Sequence, residues 1–398
     1  MSEKVLRVGV YGTGRGSGHV KNISFLDNAK VVAICDMNPK AIEKAKKFCE
    51  DDVIVCPDYE TLLEQNLDLV VLANFLPDHT KCAIQAMRKG INVVSECLAA
   101  VTMKECVELV EAVEETGVYY SMAENSPYGT VALEMQRLYR EGFLGELSYA
   151  EAEYCHPFSP EGLLEICPNE NHWRYRLPKT YYLTHPLGTL MNITGLMPKK
   201  VLSKITPDYT YARERNLPFA DSGAIVLVEM EGGVVFRVTG WANFGSHASG
   251  IRLACTRANA ENLRHNANEL SLTFNKWDIP KEMERVGTHI SYVPPMEQAM
   301  LNLVPKGLSN AGHGVADCRC VCNYISEVAE GRAPDMDVYR SVAMSAAAIL
   351  GWRSALEGKE FEIPDFKDPA AREQYRNDDL SPWRGEIPYY IYPTEKAE

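Results

Sequence analysis

The most constraining feature of this 398-residue sequence is a glycine-rich segment near its start, VGVYGTGRGSGHV, between a strand pattern and a helix pattern. Gly12, Gly14 and Ser17 occupy the three positions of a G-x-G-x-x-G motif, with a small serine in the last. The first glycine permits a tight turn, the second lets the backbone approach a pyrophosphate, and the helix N-terminus supplies free N–H groups. The segment therefore predicts a phosphate-binding turn.

An acidic residue ends the next predicted strand, VVAICD, at Asp36. A carboxylate at this point can accept hydrogen bonds from the hydroxyls of an adenosine ribose, and it repels a 2′-phosphate. Because strand, loop, helix and acid occur in register, the pattern favours NAD over NADP. A glycine-rich surface loop is the alternative interpretation.

Two kinds of pattern divide the chain. Up to about residue 121, short β-branched runs alternate with helical segments, which is typical of βαβ units. Longer alternating runs follow, such as GAIVLVEMEGGVVFRVTGWANF, in which EGG indicates a hairpin turn. We predict an α/β fold with a Rossmann domain, a doubly wound parallel sheet, over residues 1–123. An α+β domain with a large open, mostly antiparallel sheet follows over 124–398, for substrate binding and oligomerisation.

Composition excludes several classes of partner. The formal charge of −13, from 54 acidic and 41 basic residues, argues against nucleic acid. No run of about 18 apolar residues and no signal-peptide pattern occurs, so we expect no membrane partner. The 12 cysteines are too sparse for a disulfide scaffold. These features predict a cytoplasmic protein.

Several stretches resemble the Gfo/Idh/MocA oxidoreductases, the family of glucose–fructose oxidoreductase and inositol dehydrogenase. Besides the glycine loop and Asp36, they are ANFLPDHTKCAIQAMRKGINVV and the late region from HGVADCRCVCNYI to EFEIPDF. The resemblance implies a similar two-domain fold and an NAD cofactor. The residues we assign to the cofactor site are Gly12, Gly14, Arg15, Ser17, Asp36, Asn74, His79, Glu96 and Asn125. For His79, a polar role at the start of the next helix is an alternative.

One residue of the family pattern is missing. The fifth strand of the family usually ends in Glu-Lys-Pro, and the lysine serves in proton transfer beside the nicotinamide. This chain has Glu96, Cys97 and Leu98 there. A thiol with an unperturbed pKa of about 8.5 is mostly neutral near pH 7. We therefore interpret Cys97 as lining rather than as a catalytic thiol.

Replacement proton-transfer groups are concentrated between residues 152 and 188. On a strand through EAEYCHP, Tyr154 and His156 share one face. The segment HWRYRLPKTYYLTHPLG supplies Arg174, Tyr182 and His185, and the last two lie three residues apart on one side of a predicted helical turn. Histidine and tyrosine can both exchange protons with a substrate. The alternative is that these residues complete hydrogen bonds at a domain seam.

The same region resembles NAD-dependent glycoside hydrolases of the α-N-acetylgalactosaminidase kind, which also lack the lysine. The shared motifs are ENSPYG, Tyr-x-His, Trp-Arg-x-Arg and Tyr-x-Thr-His-x-Leu-Gly, whereas Leu183 and Pro186 depart from the usual proline and glycine. The implied catalytic residues are Tyr182, His185, Tyr154 and His156. The implied substrate-binding residues are Arg174, Asn125, His313 and Asp317. Asp317 has a second interpretation, as a residue of the first turn of a helix.

Other constellations are less favourable. Cys318, Cys320 and Cys322 do not share one helix face, so we predict no metal site. Trp241 and Phe244 are interpreted as sheet packing. Glu151 and Glu153 should face away from Tyr154 and His156, which disfavours a two-carboxylate glycosidase.

The predicted function is that of an NAD-dependent enzyme acting on a small sugar or glycoside. It abstracts a hydride from a secondary carbinol, at C3, for redox-neutral cleavage of the glycosidic bond by oxidation, elimination, hydration and re-reduction. One alternative is an ordinary sugar or glycoside 3-dehydrogenase that releases a keto-sugar. Another is a non-catalytic NAD-binding regulator. A homo-oligomer, dimer or tetramer, is expected because the open sheet leaves a broad uncovered face.

Overall fold

Two sheets organise the protein in the computed structural model, which describes residues 5–167, 169, 172–207, 221–263, 266–283, 287–296, 302 and 314–382. The predicted substrate residue His313 lies outside these ranges. The predicted architecture, a parallel sheet followed by a larger, mostly antiparallel one, is confirmed.

The first sheet contains six parallel strands in the order β3-β2-β1-β4-β5-β6. Their bounds are β1 Leu6–Tyr11, β2 Ala29–Cys35, β3 Ile54–Val55, β4 Leu69–Leu72, β5 Asn92–Ser95 and β6 Tyr120–Met122. The strand order reverses between β1 and β4. In open α/β sheets, ligands bind at the carboxyl ends of the strands beside such a reversal.

Five helices connect these strands: α1 Thr13–Ile23, α2 Pro39–Lys46, α3 Tyr59–Leu63, α4 His79–Met87 and α5 Met103–Thr116. Short polar side chains begin several of them, since the first N–H groups of a helix lack intrahelical partners. Asn38 accepts from the amide of Lys40 at α2, and Thr102 accepts from the amide of Glu105 at α5.

The second sheet has nine strands in the order β14-β13-β12-β11-β7-β10-β9-β8-β15. Their bounds are β7 Leu147–Cys155, β8 Pro198–Pro207, β9 Asp221–Met230, β10 Val235–Ala242, β11 Ile251–Cys255, β12 Ala258–Leu263, β13 Asn266–Phe274, β14 His289–Tyr292 and β15 Phe361–Glu362. Only β7 and β10, among the described pairs, run parallel. The predicted EGG turn joins β9 to β10.

Six further helices are α6 Thr130–Arg140, α7 Pro160–Ile166, α8 Thr184–Thr194, α9 Val315–Glu330, α10 Val338–Glu357 and α11 Pro369–Glu373. Helix α9 returns to the first sheet, where Val321, Tyr324 and Ile325 are buried in one cluster with Val8 and Val10. Helix α10 packs between β8 and α5. Residues late in the chain can therefore reach the glycine loop. None of the described helices is long and apolar enough to cross a bilayer.

The two faces of the second sheet differ in burial. Val226, Val228, Phe236 and Val238 are fully buried. Burying a side chain of this kind stabilises a fold by roughly 1.5–3 kcal/mol. The alternate residues of β9 and β10, including the partly exposed Leu227, lie on the other face.

Candidate active site

A cavity of about 230 Å³ lies where the carboxyl ends of β4 and β5 meet β7, β10 and the start of α8. Its lining combines most of the predicted cofactor, substrate and proton-transfer side chains. Those lining it are Arg15, Asn74, His79, Glu96, Asn125, Tyr154, His156, Arg174, Tyr182 and His185. Two separate groups of predicted residues, from the two parts of the chain, thus share one cavity.

The glycine loop begins α1 as the sequence predicts. Gly12 has a φ of 87°, and a Cβ placed on it would lie 2.4 Å from the backbone of Ala73. Only glycine fits this close approach without strain. Gly14 has open space where its Cβ would be, and Ser17 donates to the carbonyl of Gly14 at 3.0 Å.

Asp36 lies beside this loop. Its Oδ2 accepts from the amides of Thr13 at 2.5 Å and Gly14 at 3.1 Å, and its Oδ1 accepts from Asn38 at 2.7 Å. Within the described part of the chain, the buried Oδ1 of Asn74 has no hydrogen-bond partner. A position at Gly12 that only glycine fits, a carboxylate beside the helix N-terminus and an orphaned amide oxygen fit a dinucleotide.

Arg15 projects from α1 between two carboxylates. Its Nε is 2.7 Å from Glu96 Oε1, and its guanidinium also donates to both oxygens of Asp317 at 3.0 and 3.1 Å. His19 Nε2 contacts the same Glu96 oxygen at 2.8 Å. Burial opposes the charge of Glu96, but Arg15 and His19 outweigh it and lower the pKa of Glu96 to about 2. Glu96 is therefore ionised at neutral pH.

Asp317 occupies a different place from the one implied by the resemblance. It lies in the first turn of α9, is 6% exposed, and does not line the cavity. Its carboxylate holds Arg15, and it accepts from Asn125 Nδ2 at 2.5 Å. The structure thus places Asp317 behind the cavity, as a residue that positions Arg15 and Asn125.

His79 lines the cavity and also begins α4. Its Nδ1 lies 2.9 Å from the carbonyl of Leu98 and its Nε2 lies 3.2 Å from that of Asn74. Burial lowers the pKa of His79. A neutral ring has one N–H, so it donates to one of these two carbonyls and ties that backbone segment to the start of α4; both interpretations of His79 fit its position.

Four proton-transfer rings cluster on the opposite wall. Tyr154 lies 4.7 Å from His185 and 5.5 Å from His156, measured between ring centroids, and Tyr182 lies 5.7 Å from His185. Burial raises the pKa of Tyr154, so its hydroxyl stays protonated at neutral pH. Glu151, which lies on the same strand as Tyr154, faces the other side of the sheet and pairs there with Arg237 at 2.5 Å.

A buried carboxylate supports His185. Glu124 Oε1 lies 2.6 Å from His185 Nδ1, and Glu124 is fully buried. Gly188 in α8 leaves room for it, because a Cβ there would lie 3.1 Å from Glu124 Cγ. Burial raises the pKa of Glu124, but the neighbouring His185 lowers that pKa by more, so the pKa of Glu124 is lowered overall. Burial lowers the pKa of His185, but Glu124 raises that pKa by more, so the pKa of His185 is raised overall. Each of the two groups therefore favours the charged form of the other.

Cys97, at the position of the family lysine, contacts the same carboxylate. Its Sγ donates to Glu124 Oε2 at 3.2 Å and it lines the cavity. Burial, with the nearby charges of Glu124 and Glu96, raises the pKa of Cys97 well above its ordinary value. Cys97 is therefore a neutral thiol in this structure and not a cationic proton donor.

Aromatic residues complete the substrate wall. The Arg174 guanidinium lies 4.4 Å from the Trp173 ring, and both line the cavity. Trp241 also lines it and packs 4.8 Å from Tyr182, so its interpretation as sheet packing alone is incomplete. The register of β10 shifts between Thr239 and Ala242, which places Trp241 at an irregularity with a φ of 31°. Phe244 is 37% exposed and does not line the cavity.

Two family models match the chain. Residues 6–124 match the oxidoreductase family with an NAD-binding Rossmann fold, Gfo/Idh/MocA, and residues 287–372 match the C-terminal domain of glycosyl hydrolase 109. The predicted family resemblance and the NAD cofactor are confirmed, and so is the class of NAD-dependent, glycoside-processing enzyme.

Individual relatives show the same combination. A glycosyl hydrolase family 109 protein of Shewanella pealeana is 26% identical, covering 91% of this chain and 85% of the relative. An α-N-acetylgalactosaminidase of Tannerella forsythia is also 26% identical, covering 92% and 87%. A solved levoglucosan dehydrogenase, in complex with NADH and levoglucosan, shares the fold with a TM-score of 0.73 and 16% identity, covering 91% of this chain and all of that one.

Sequence reasoning missed Glu124. The residue stands in the quoted ENSPYG motif, directly after β6, at the carboxyl end of a parallel strand. That position is where functional groups of an open α/β sheet collect, so the strand pattern could have identified it. Its pairing with His185 depends on a contact between distant segments, which strand periodicity does not reveal.

The thiols of α9 are arranged as the helix period predicts. Cys318 Sγ and Cys322 Sγ lie 3.8 Å apart, whereas Cys320 Sγ faces the carbonyl of Glu124. A different group in the described part of the chain brings possible metal ligands together. Cys97, Glu124 and His185 offer ligand atoms that all lie within 4.8 Å of one another.

Proposed function

We propose that the protein cleaves a glycoside in a redox-neutral reaction that passes through a 3-keto sugar. The observation that carries the proposal is the His185–Glu124 pair beside Tyr154 and Tyr182, in the same cavity as the glycine loop's Arg15. When bound, NAD⁺ would accept a hydride from C3 of the sugar and return it at the end. The chain itself must then bind, orient and exchange protons.

The cofactor would be held by the glycine loop and the residues around it. Gly12, Gly14 and Ser17 would shape the loop, Asp36 would accept from the ribose hydroxyls, and Asn74 would offer a buried acceptor. The remaining assigned residues, Arg15, His79, Glu96 and Asn125, line the adjoining cavity. The paired charges of Arg15 and Glu96 would keep this wall in place during the reaction.

Two protons leave the sugar in the first half of the reaction. Loss of the C3 hydride requires removal of the C3 hydroxyl proton, which we assign to Tyr182. The resulting ketone acidifies the C2 proton, which we assign to neutral His185, held through Nδ1 by Glu124. A positioned acid or base of this kind contributes about 10²- to 10⁴-fold.

Bond cleavage follows as an elimination. The electron pair of the C2–H bond forms a C1=C2 double bond, and the C1–O bond breaks. Tyr154 or His156 gives a proton to the departing oxygen. Water then adds its hydroxyl to C1 and a proton to C2, and C3 is reduced again, so the net change is hydrolysis.

The substrate is proposed to be an α-linked N-acetylhexosaminide, because one relative is named an α-N-acetylgalactosaminidase. Arg174 supports a polar sugar substituent, since its buried Nε has no hydrogen-bond partner among the described residues. Trp173, Phe158 and Trp241 supply apolar surface in the same cavity. A sugar ring has both kinds of surface.

The deciding experiment is turnover of aryl α- and β-glycosides in heavy water with NAD. The proposal expects phenol release, deuterium at C2 of the freed sugar, and no accumulation of NADH. NADH accumulation with an intact glycosidic bond would instead identify a sugar 3-dehydrogenase. Cleavage without deuterium at C2 would overturn the elimination, and absence of turnover across the panel with bound NAD would favour a regulator.

We further propose that the protein forms a homo-oligomer through the second sheet. Leu227 and Val235 are partly exposed on strands of that sheet, and Glu151 pairs there with Arg237 and Arg252. A face that mixes apolar and paired charged residues suits a self-complementary contact. Light scattering at micromolar concentration should give a mass of at least two chains; the mass of one chain would contradict the proposal.

A cytoplasmic location is likewise proposed, and all twelve cysteines are free thiols, which supports a reducing compartment. Recovery of the native protein in the soluble cytoplasmic fraction of its cell would agree. Recovery outside the cytoplasm would contradict it.

A further inference from the structure

A cysteine, a glutamate and a histidine converge at the floor of the cavity. They come from three separate places: Cys97 follows β5, Glu124 follows β6, and His185 lies in the first turn of α8. Cys97 Sγ is 3.2 Å from Glu124 Oε2, and His185 Nδ1 is 2.6 Å from Glu124 Oε1. All three ligand atoms lie within 4.8 Å of one another.

The three side chains lie close enough together to surround a small divalent cation. With zinc bonds of about 2.0–2.3 Å, tetrahedral ligand atoms lie roughly 3.2–3.8 Å apart. The three side chains therefore need only small rotations to surround an ion. Thiolate, imidazole and carboxylate are the ligand types that zinc takes in proteins.

The setting also favours an accessible ion. Cys97 and His185 line the cavity, so a fourth coordination position would open toward it. Three protein ligands with one open position are typical of zinc sites that exchange water or substrate, whereas structural sites are closed. Glu124 is fully buried, and a carboxylate in such a place needs a cation or hydrogen-bond donors beside it.

We propose that Cys97, Glu124 and His185 bind zinc, or another thiophilic divalent cation, and that the bound ion inhibits the enzyme. On binding, the Cys97 S–H bond breaks and its proton leaves to solvent. The proton between His185 Nδ1 and Glu124 leaves Nδ1, to Nε2 of a neutral ring or to solvent from a charged one. Sulfur and Nδ1 then bond to the metal, with no change in oxidation state. Glu124 and His185 become ligands at the same time. The inhibition rests on the proposed function, because His185 would then be unable to accept the C2 proton, whereas the binding does not.

The two thiols on α9, those of Cys318 and Cys322, are a second place where a thiophilic metal ion could bind. Cys318 Sγ and Cys322 Sγ lie 3.8 Å apart, and Met296 packs against Cys318. A metal measurement on the whole protein could report either location. Cys322→Ser is thus the matched control for Cys97→Ser, since each removes one thiol.

Binding is tested with Co²⁺ as a spectroscopic probe on the full-length protein as purified, followed by displacement with Zn²⁺. The wild type and Cys322→Ser should show a cobalt–thiolate charge-transfer band, and Cys97→Ser should lose it. Glu124→Gln should bind Co²⁺ about 10-fold or more weakly, since even supporting residues of metal sites have effects of this size. Circular dichroism and NAD binding check that each variant is folded.

The proposal is overturned if wild type shows no thiolate band, or if the band survives in Cys97→Ser and disappears in Cys322→Ser. Inhibition is measured separately, on glycoside cleavage. Zinc should inhibit Cys322→Ser as it does wild type, and Cys97→Ser should require about 10-fold or more zinc for the same inhibition. A protein that gives the cobalt band without cleaving any glycoside would refute the proposed function and leave the metal site intact.

Discussion

The two walls of the cavity use charge in different ways. On the wall that carries the assigned cofactor residues, Arg15 is fixed between Glu96 and Asp317, and Glu96 also contacts His19. On the other wall, His185 contacts the carboxylate of Glu124, and the rings of Tyr154, His156 and Tyr182 lie tilted against their neighbours with centroids 4.7–5.7 Å apart. The first arrangement holds charges in place, whereas the second holds groups that can gain or lose a proton.

This difference separates binding from chemistry. A wall of mutually paired ions resists protonation changes near neutral pH, which suits a cofactor that remains bound. A wall of histidine and tyrosine rings can exchange protons with a substrate. Substitutions on the first wall should therefore alter NAD affinity, and those on the second should alter kcat.

The largest expected effect comes from the second wall. His185→Gln and Tyr182→Phe should each lower kcat about 10²- to 10⁴-fold, as for a positioned acid or base, with NAD affinity unchanged. Glutamine keeps a donor for the buried Glu124. Tyr181→Phe is the matched control, because Tyr181 is also buried but donates to the Val101 carbonyl outside the cavity. Equal losses in Tyr181→Phe and Tyr182→Phe, measured by steady-state kinetics, would remove Tyr182 from the chemistry.

A smaller effect is expected from the first wall. Asp36→Ala should weaken NAD binding by about 10- to 100-fold, from the loss of hydrogen bonds to a charged group worth roughly 1.5–3 kcal/mol. The variant also removes the acceptor that holds the amides of Thr13 and Gly14. The glycine loop would then be less well fixed, and the affinities for NAD and NADP would fall alike. Loss of the negative charge should in addition narrow the preference for NAD over NADP.

Calorimetric titration with both nucleotides distinguishes the two contributions of Asp36. Asp58→Ala is the control, since Asp58 caps α3 by accepting from Thr61 and takes no part in the cavity. An unchanged NAD-to-NADP ratio in Asp36→Ala would show that Asp36 supports the loop without reading the ribose.

The contrast between the walls also explains what the sequence predicts and what it does not. Gly12, Gly14 and Asp36 follow from local rules, because a strand, a tight turn and a helix N-terminus lie in consecutive residues. Tyr154 and His156 share a face through the period of one strand. The sequence pattern also predicts that the second sheet is mostly antiparallel, but it does not predict the order of its nine strands.

Contacts between distant segments escape local rules. Glu124 meets His185 because α8 packs against the Ser126–Tyr128 turn that follows β6, and Asp317 reaches Arg15 because α9 returns to α1. Trp241 turns toward the cavity at a break in strand register. Neither strand nor helix periodicity encodes such pairings, so the carboxylate partners of both walls became visible only in three dimensions. The domain boundary after residue 123 and the role of His313 stay predictions.

The coupling between His185 and Glu124 on the second wall should affect the pH dependence of kcat/KM. Burial opposes the charge on His185, but Glu124 raises its pKa overall, so the fraction of neutral base, and with it kcat/KM, should rise as the pH rises through that raised value. Glu124→Gln removes the negative charge, which should move the acidic limb to lower pH. Glu153→Gln, the same change on the other sheet face, should leave the limb in place; a limb that stays fixed in Glu124→Gln would contradict the pairing.

The same pair contributes to stability within a defined pH window. Because the pKa of His185 is raised in the folded protein, His185 stabilises the fold fully at pH values below its ordinary pKa of 6.5. This stabilisation is lost as the pH rises through the pKa of the folded state. The lowered pKa of Glu124 gives a stabilisation that is present above pH 4.5 and is lost as pH falls through the folded value. The free energy of unfolding of the wild type, measured with denaturant, should exceed that of Glu124→Gln by the largest margin between pH 4.5 and 6.5, the ordinary pKa values of the two groups.

The smallest effect is expected at Cys97, the position where the family has lysine. Cys97→Ala removes one S–H···O contact to Glu124 and a neutral thiol, but no group that we assign to proton transfer. Because a single neutral hydrogen bond is worth about 0.5–1.5 kcal/mol, kcat should fall by roughly 10-fold or less. Metal-free assays with a chelator keep this loss separate from zinc inhibition. If Cys97→Ala abolishes turnover while Tyr182→Phe and His185→Gln remain near wild type, the thiol at the lysine position is the catalyst, and the division of labour between the two walls is wrong.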